Sequence, residues 1–224
     1  MAMTEPRPLP LALQQQLQEH QEWLETGGAQ GQHLAFRQTA DLRGLSLSER
    51  QLRQSILFKS LLSGSDLRKS DLTQVHLEKS VLVATQLDEA ILEQVDAAEA
   101  ILRGASLMHV RADGIRLEDA DLNGVNAQHA HMAHAELAGA HLENSDFEDA
   151  DLRGSNLESV HLSGANLTGA HLQGAFLEGA DGIDTVRAEW IMVGDEAEPQ
   201  RLEGAAAQQW LREAARRKVR VVDP

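Results

Sequence analysis

From Leu42 to Leu177 the chain carries a central apolar residue at every fifth position, with no change of phase. Twenty-three of these twenty-eight positions are Leu, and the others are Ala97, Ala112, Ala127, Met132 and Phe147. Two residues before each centre stands Ala, Ser, Val or Thr, apart from Leu45, Arg50 and Ile115. Polar residues lie between the two, and polar residues and many glycines follow. Ala-Asp-Leu-Arg-Gly and Ala-Asn-Leu-Thr-Gly are typical units.

No straight element accommodates this period. Five residues advance about 140° around an α-helix, which would scatter the leucines over every side. On a strand the step is odd, so successive leucines would point to opposite faces. The chain must therefore turn once per repeat and bring each leucine back to the interior. The small residue and the leucine, two apart, share one side of a short extended segment, and Gly, Asn, Asp and Ser suit the corners. Scarcity of aromatic side chains agrees with this: at 3% of the chain, with no Tyr, they cannot supply the large rings on which globular cores commonly rely.

The tandem Ala-Asp/Asn-Leu-x-x pattern, over residues 40–180, resembles the pentapeptide-repeat protein family. That resemblance implies an all-β solenoid, a right-handed quadrilateral β-helix with four repeats per coil and about seven coils. At ~4.8 Å per coil the rod is about 34 Å long. Residues twenty apart then stack. Core columns run through Leu42, Leu62, Leu82, Leu102 and Leu122, and others contain Phe147 and Leu177. Ala127 falls beneath Phe147, Ala112 beneath Met132, and Ala97 beneath Leu117, whose repeat carries the large Ile115. Each small centre thus has an oversized neighbour one coil on, as close packing requires.

The same stacking sorts the charge. Net charge is −15, and in the repeats nearly all of it falls on two opposite sides. One side holds Glu78, Asp96, Glu99, Glu118, Asp119, Glu136, Glu158 and Glu178. The other holds Glu49, Asp66, Asp88, Glu89, Asp146, Glu148 and Asp149. This balance opposes direct binding to nucleic acid, whose affinity rests on phosphate contacts, and favours a basic protein partner.

Open β-helix ends need covers. Residues 10–26 place Leu13, Leu17 and Leu24 at helical spacing beside Trp23, and Gly27-Gly28 stops the run. Residues 200–218 read as a second helix with Leu202, Ala206, Trp210, Leu211 and Ala214, ending in basic residues that suit the helix dipole. A short strand is expected over Trp190–Val193, then an acidic loop from Gly194 to Pro199. The domain division is an N-terminal helical cap (1–33), the β-helix (34–182) and a C-terminal strand and helix cap (183–224). Leu202, Trp210 and Leu211 are the candidate cap and dimer residues, since dimers of this kind occur in the family and Trp is a frequent interface anchor.

Chemistry finds little foothold. The chain has no cysteine, which removes disulfides and thiolate metal sites. Ten histidines are present, and the coil model stacks His109 on His129 and His141 on His161. An outward-facing ladder converges poorly on a metal, so no metal and no cofactor is expected. The carboxylates lie on a convex rod without a cleft, and there is neither a phosphate loop nor a nucleophile elbow. No catalytic residue is assigned. The first ten residues, with three prolines and no apolar core, do not read as a secretory signal, and no apolar run approaches a membrane span. A cytoplasmic location is the expectation.

The resemblance implies a macromolecule-binding role. Some family members act as DNA mimics that bind type II topoisomerases, DNA gyrase above all, and inhibit them or protect them from drugs and toxins. Quinolone-resistance members have Phe-rich centres and loops that interrupt the coils, whereas the centres here are Leu and the register is unbroken. A rigid adaptor or scaffold in an assembly or secretion system, without topoisomerase activity, is the alternative.

Overall fold

The computed structural model describes residues 7–36, 38–195 and 197–217. Between its two ends the chain winds as the predicted right-handed β-helix. A ladder of parallel bridges joins each residue that precedes a centre to the one twenty further on, from Asp41↔Leu61 to His161↔Asp181. Around Leu62 the pattern is typical. Its N–H donates to the Val81 carbonyl at 2.7 Å, and the Val81 N–H donates to the Ser60 carbonyl at 2.9 Å. Each coil is thereby bonded to the coils before and after it, so backbone polar groups on all four sides are satisfied.

The turn at the end of each repeat has one fixed conformation. Every last residue, from Gly44 to Gly179, has positive φ. The N–H of the next residue donates back to the central carbonyl, as from Ser65 to Leu62 at 3.0 Å. A turn with a left-handed third residue is where Gly is cheapest. At many of these corners, however, the residue is not Gly: Lys59, His109, Asp119 and Asn144 are examples. The ladder on either side over-determines the backbone and holds them there.

Inside, the centres are buried, and so are the small residues apart from part-buried Ala175. Leu42, Leu62, Leu82, Leu102, Leu122, Phe147 and Leu177 all belong to one continuous core, as do Ala97, Ala112, Ala127 and Met132. In the earlier coils the small position is often Ser or Thr. Apart from Ser60, their hydroxyls find backbone carbonyls, for example Ser80 Oγ to Leu57 O at 2.8 Å and Thr85 Oγ1 to Leu62 O at 3.0 Å. That satisfies the requirement for burying a hydroxyl.

At the N-terminal end helix α1 (Leu11–Glu25) lies over the first coil and buries Leu13, Leu17 and His20. His20 is fully buried. Its Nε2–H donates to the Arg53 carbonyl at 3.0 Å, and its Nδ1 accepts from the Leu34 N–H at 3.1 Å. A neutral imidazole thus ties the helix to two segments of the rod. Residues near Arg7 and Ala35 add bridges to the exposed edge, Arg7↔Leu45 and Ala35↔Ile56.

At the other end the ladder does not stop at residue 182. Gly182 and a 3₁₀ turn, Ile183–Thr185, add one residue to the coil, and bridges resume at an offset of twenty-one, Asn166↔Arg187 and His171↔Met192. Gly182 has φ +71°, and a Cβ there would lie 2.4 Å from the Ser163 nitrogen, so no other residue fits. Strand β1 (Trp190–Gly194) then pairs antiparallel with β2 (Pro199–Glu203), and α2 (Gly204–Arg216) follows. The helix expected over 200–218 therefore begins later, and Leu202 lies on β2 opposite Ile191. Alternation of hydrophobicity over five residues was too short to separate this strand from the helix that follows. Lys218, at the end of that expected helix, lies outside the described residues.

Candidate interaction surface

The bridge ladder brings the two sets of acidic residues onto two opposite sides. One column runs His76, Asp96, Arg116, Glu136, Asn156, Phe176, with Glu78, Glu118, Glu158 and Glu178 two residues on from its members and Glu99 and Asp119 at its corners. The opposite column runs Asp66, Gln86, Ser106, Asn126, Asp146, Asn166, with Asp88 and Glu148 beside it and Glu49, Glu89 and Asp149 at its corners.

Many of these carboxylates already have cationic partners. Arg116 reaches Asp96 at 2.6 Å and Glu118 at 3.1 Å, Lys79 meets Glu99 at 3.2 Å, and Lys69 meets Glu89 at 3.7 Å. Arg68 binds Asp66 at 2.8 Å, and hydrogen bonds from its guanidinium hold that carboxyl below the usual carboxylate range. Asp88 accepts from the Ser106 hydroxyl and from the Met108 N–H. His76 Nδ1 lies 3.1 Å from Glu78.

The ion pairs expose a division along the rod. Lysines 59, 69 and 79 and every arginine of the repeats except Arg153 precede residue 117, and there the charges nearly balance. Between residues 117 and 180 there are eleven acidic residues and a single basic one, Arg153; of the eleven, Asp121 and Glu118 are paired with Arg103 and Arg116 from the preceding coils. Arg153 is taken by Asp151 at 2.7 Å. Burial works to raise the Asp151 carboxyl, but hydrogen bonds from the Arg153 side chain and backbone outweigh it and hold the group low. In this half Asp146 accepts from Gln128 at 2.7 Å and Asn166 at 2.8 Å, and Glu136 accepts from Asn156 at 3.1 Å. Amide donors order these carboxylates and leave their charge intact. This axial division runs across both acidic sides, and the spacing of Lys and Arg along the chain carries it.

The histidines stack as the coil model requires, with ring centroids 4.9 Å apart for His109 and His129 and 4.6 Å for His141 and His161. His161 Nδ1 lies 2.8 Å from Asp181. One cluster not foreseen is His76, Glu78 and Asp96, whose donor atoms lie within 4.8 Å of one another. The Arg116 guanidinium on Asp96 already supplies positive charge to it.

The cap candidates separate. Leu211 is fully buried, with Ala207 and Ala214, on the face of α2 that closes the rod. Arg212 Nε donates to Asp184 at 2.7 Å, Gln208 Nε2 to the Val186 carbonyl at 2.6 Å, and the Gly179 N–H to the Ala215 carbonyl at 2.9 Å. Leu211 thus serves the cap. Trp210 is only partly buried and, with exposed Phe176, lines a groove between α2 and the last full coil. Leu202 is partly buried against the core. Among the described residues no helix is long and apolar enough to cross a membrane.

A solved structure shares the fold. HetL from the cyanobacterium Nostoc, a pentapeptide repeat protein involved in heterocyst differentiation regulation, superposes with a TM-score of 0.53 at 22% identity, covering 77% of this chain and 94% of its own. Less similar are the plasmid-mediated fluoroquinolone resistance protein QnrB1 (TM-score 0.41, 18% identity, 70% of this chain, 80% of its own) and Rfr23 from the cyanobacterium Cyanothece (0.29, 34%, 48% and 63%). No curated protein matches in sequence. The model of pentapeptide repeats matches in eight copies, over residues 39–74, 55–94, 80–124, 120–158 and 161–185. With the ladder, the corners and this match together, the chain belongs to the pentapeptide-repeat family.

Proposed function

We propose that the protein is a non-catalytic rod whose C-terminal half binds a protein surface built to hold nucleic acid. The observation that carries this is the charge of the last coils. Eleven acidic residues and one basic one, with Asp121 and Glu118 offset by Arg103 and Arg116, at ~4.8 Å per coil, amount to about one net negative charge per 1.9 Å of rod. Duplex DNA carries about one per 1.7 Å. Most of the acid lies on two opposite sides, as the phosphates of a duplex lie on two strands. Type II topoisomerases, DNA gyrase above all, are the partner class to test first.

The test is a gyrase supercoiling assay with and without a cleavage-stabilising drug. Inhibition, or rescue from the drug, at low micromolar protein is expected. The combined variant Asp119→Asn, Glu136→Gln, Glu148→Gln, Glu158→Gln should lose it, and the wild-type effect should weaken with salt. Among the described residues, no Arg or Lys forms an ion pair with any of these four. An effect that survives their neutralisation would sink the mimicry.

A second reading, a rigid scaffold, is favoured by a different side. Leu61, Val81 and Ile101 form one half-exposed aliphatic column on a side with little charge. A scaffold that docks there would be indifferent to the acidic variant.

A further inference from the structure

The acidic stretch does not end in solvent. Its column passes from Glu136 through Asn156 to Phe176, and Phe176 is 52% exposed. That ring lines a groove of about 350 Å³ together with Leu177, Glu178, Arg217 and, from α2, Trp210 and Ala214. An exposed aromatic ring beside a part-buried Trp is the type of feature that anchors binding partners. Here it adjoins a carboxylate-rich surface on the same side of the rod. Glu136 lies two coils from Phe176, or ~10 Å, about three residues of extended chain.

We propose that the groove and the acidic stretch form one docking surface for a basic peptide segment of a partner protein, with one large apolar side chain three to six residues from a run of Lys or Arg. The apolar side chain enters between Phe176 and Trp210. The cations lie along Glu158, Glu136 and Asp119. Arg217 in the groove lining disfavours cations there and so sets the direction in which the segment lies. The inference rests on the reading that the acidic half binds a basic protein, and it adds where the partner is anchored and what chemistry it must carry.

Three ten-residue peptides labelled at the basic end provide the test, by fluorescence polarisation with the full chain. The first has a terminal Trp, a four-residue Gly/Ser spacer and five alternating Lys and Arg. The second has Ala for Trp, and the third has Gln for the cations. The first should bind at least tenfold more tightly than either of the others. Phe176→Ala, at an exposed position, should remove the advantage of the first over the second and leave the second unchanged. Asp119→Asn/Glu136→Gln/Glu158→Gln should weaken the first and second alike. Equal binding of the first two to wild type, still lost in the acidic variant, would overturn the groove anchor and keep the acidic reading. Binding of the first two that is unaffected by the acidic variant would overturn both. Sedimentation of wild type as a dimer that Phe176→Ala dissociates would give the groove to a second copy and also overturn the proposal.

Discussion

Replacing Ala127 by Leu tests the packing of the coils directly. Ala127 and Phe147 both lie in the buried core, and the bridge Asn126↔Asp146 sets their repeats one above the other. The column otherwise holds Leu47, Leu67, Leu87, Leu107 and Leu167, so the ring at 147 uses room that a full-sized side chain at 127 would take. Leu at 127 adds three carbons to a site with 1% exposure. Because the ladder fixes the spacing of the coils, the site cannot swell, and the cost should be about 1–3 kcal/mol. For a chain of this length that lowers Tm by roughly 2–12 °C. Phe147→Leu alone should also destabilise, by about 1 kcal/mol, because it leaves a void beside Ala127. The double variant makes the column all leucine and should recover most of the loss, with a coupling of at least ~1 kcal/mol between the sites. Thermal and urea denaturation followed by circular dichroism would measure all four proteins. An unchanged Tm for Ala127→Leu, or additive effects in the double variant, would refute the stacking argument.

Three further outcomes are expected. Burial, aided by the nearby charge of His33, lowers the pKa of His20, while its bond to the Arg53 carbonyl opposes the shift. The unfolded chain therefore takes up this proton first, so the contribution of the cap is full above about pH 6.5 and is lost as pH falls below it; the protection of the Leu34 amide relative to its intrinsic exchange rate should fall there, and equal protection at pH 7 and pH 4.5 would contradict the tie. Gly182→Ala should disrupt the end of the rod severely, since its Cβ would meet backbone at 2.4 Å, whereas Gly64→Ala, at φ +67° with nothing within 4 Å, should cost only about 1–2 kcal/mol; similar losses of Tm would show that crowding is not the difference. Lys69→Gly relieves a left-handed corner at φ +59° and should raise stability by about 1 kcal/mol, read from the urea midpoint.

The solenoid was legible because each core position repeats the same instruction. Leucine at every fifth residue excludes the straight elements outright, and the glycines after it mark corners whose conformation only the backbone reveals. Lys59 or Glu99 gives no sign of a left-handed backbone, because the ladder imposes it from neighbouring coils. The strand holding Leu202 was missed for the opposite reason. It is short, lies mostly in solvent, and is specified by pairing with β1 rather than by its own pattern. His20 reads as one more polar residue on α1 until docking brings Leu34 and Arg53 to its two nitrogens. In the candidate surface the acidic residues were legible one by one. Their neutralisation before residue 117 depends on which Lys and Arg the coils bring beside them. The groove between Phe176 and Trp210 depends on where a hairpin sets the last helix.

A coil made of four interchangeable quarters also gives the chain an unusual kind of adjustability. Removing or adding five residues between two centres preserves every leucine, every corner and the ladder, yet turns all that follows by a quarter of a revolution. A twenty-residue change instead lengthens or shortens the rod by one step with no rotation. The bearing of the acidic half relative to helix α1, and its distance from it, can thus be set separately in the gene, in units of five and of twenty residues.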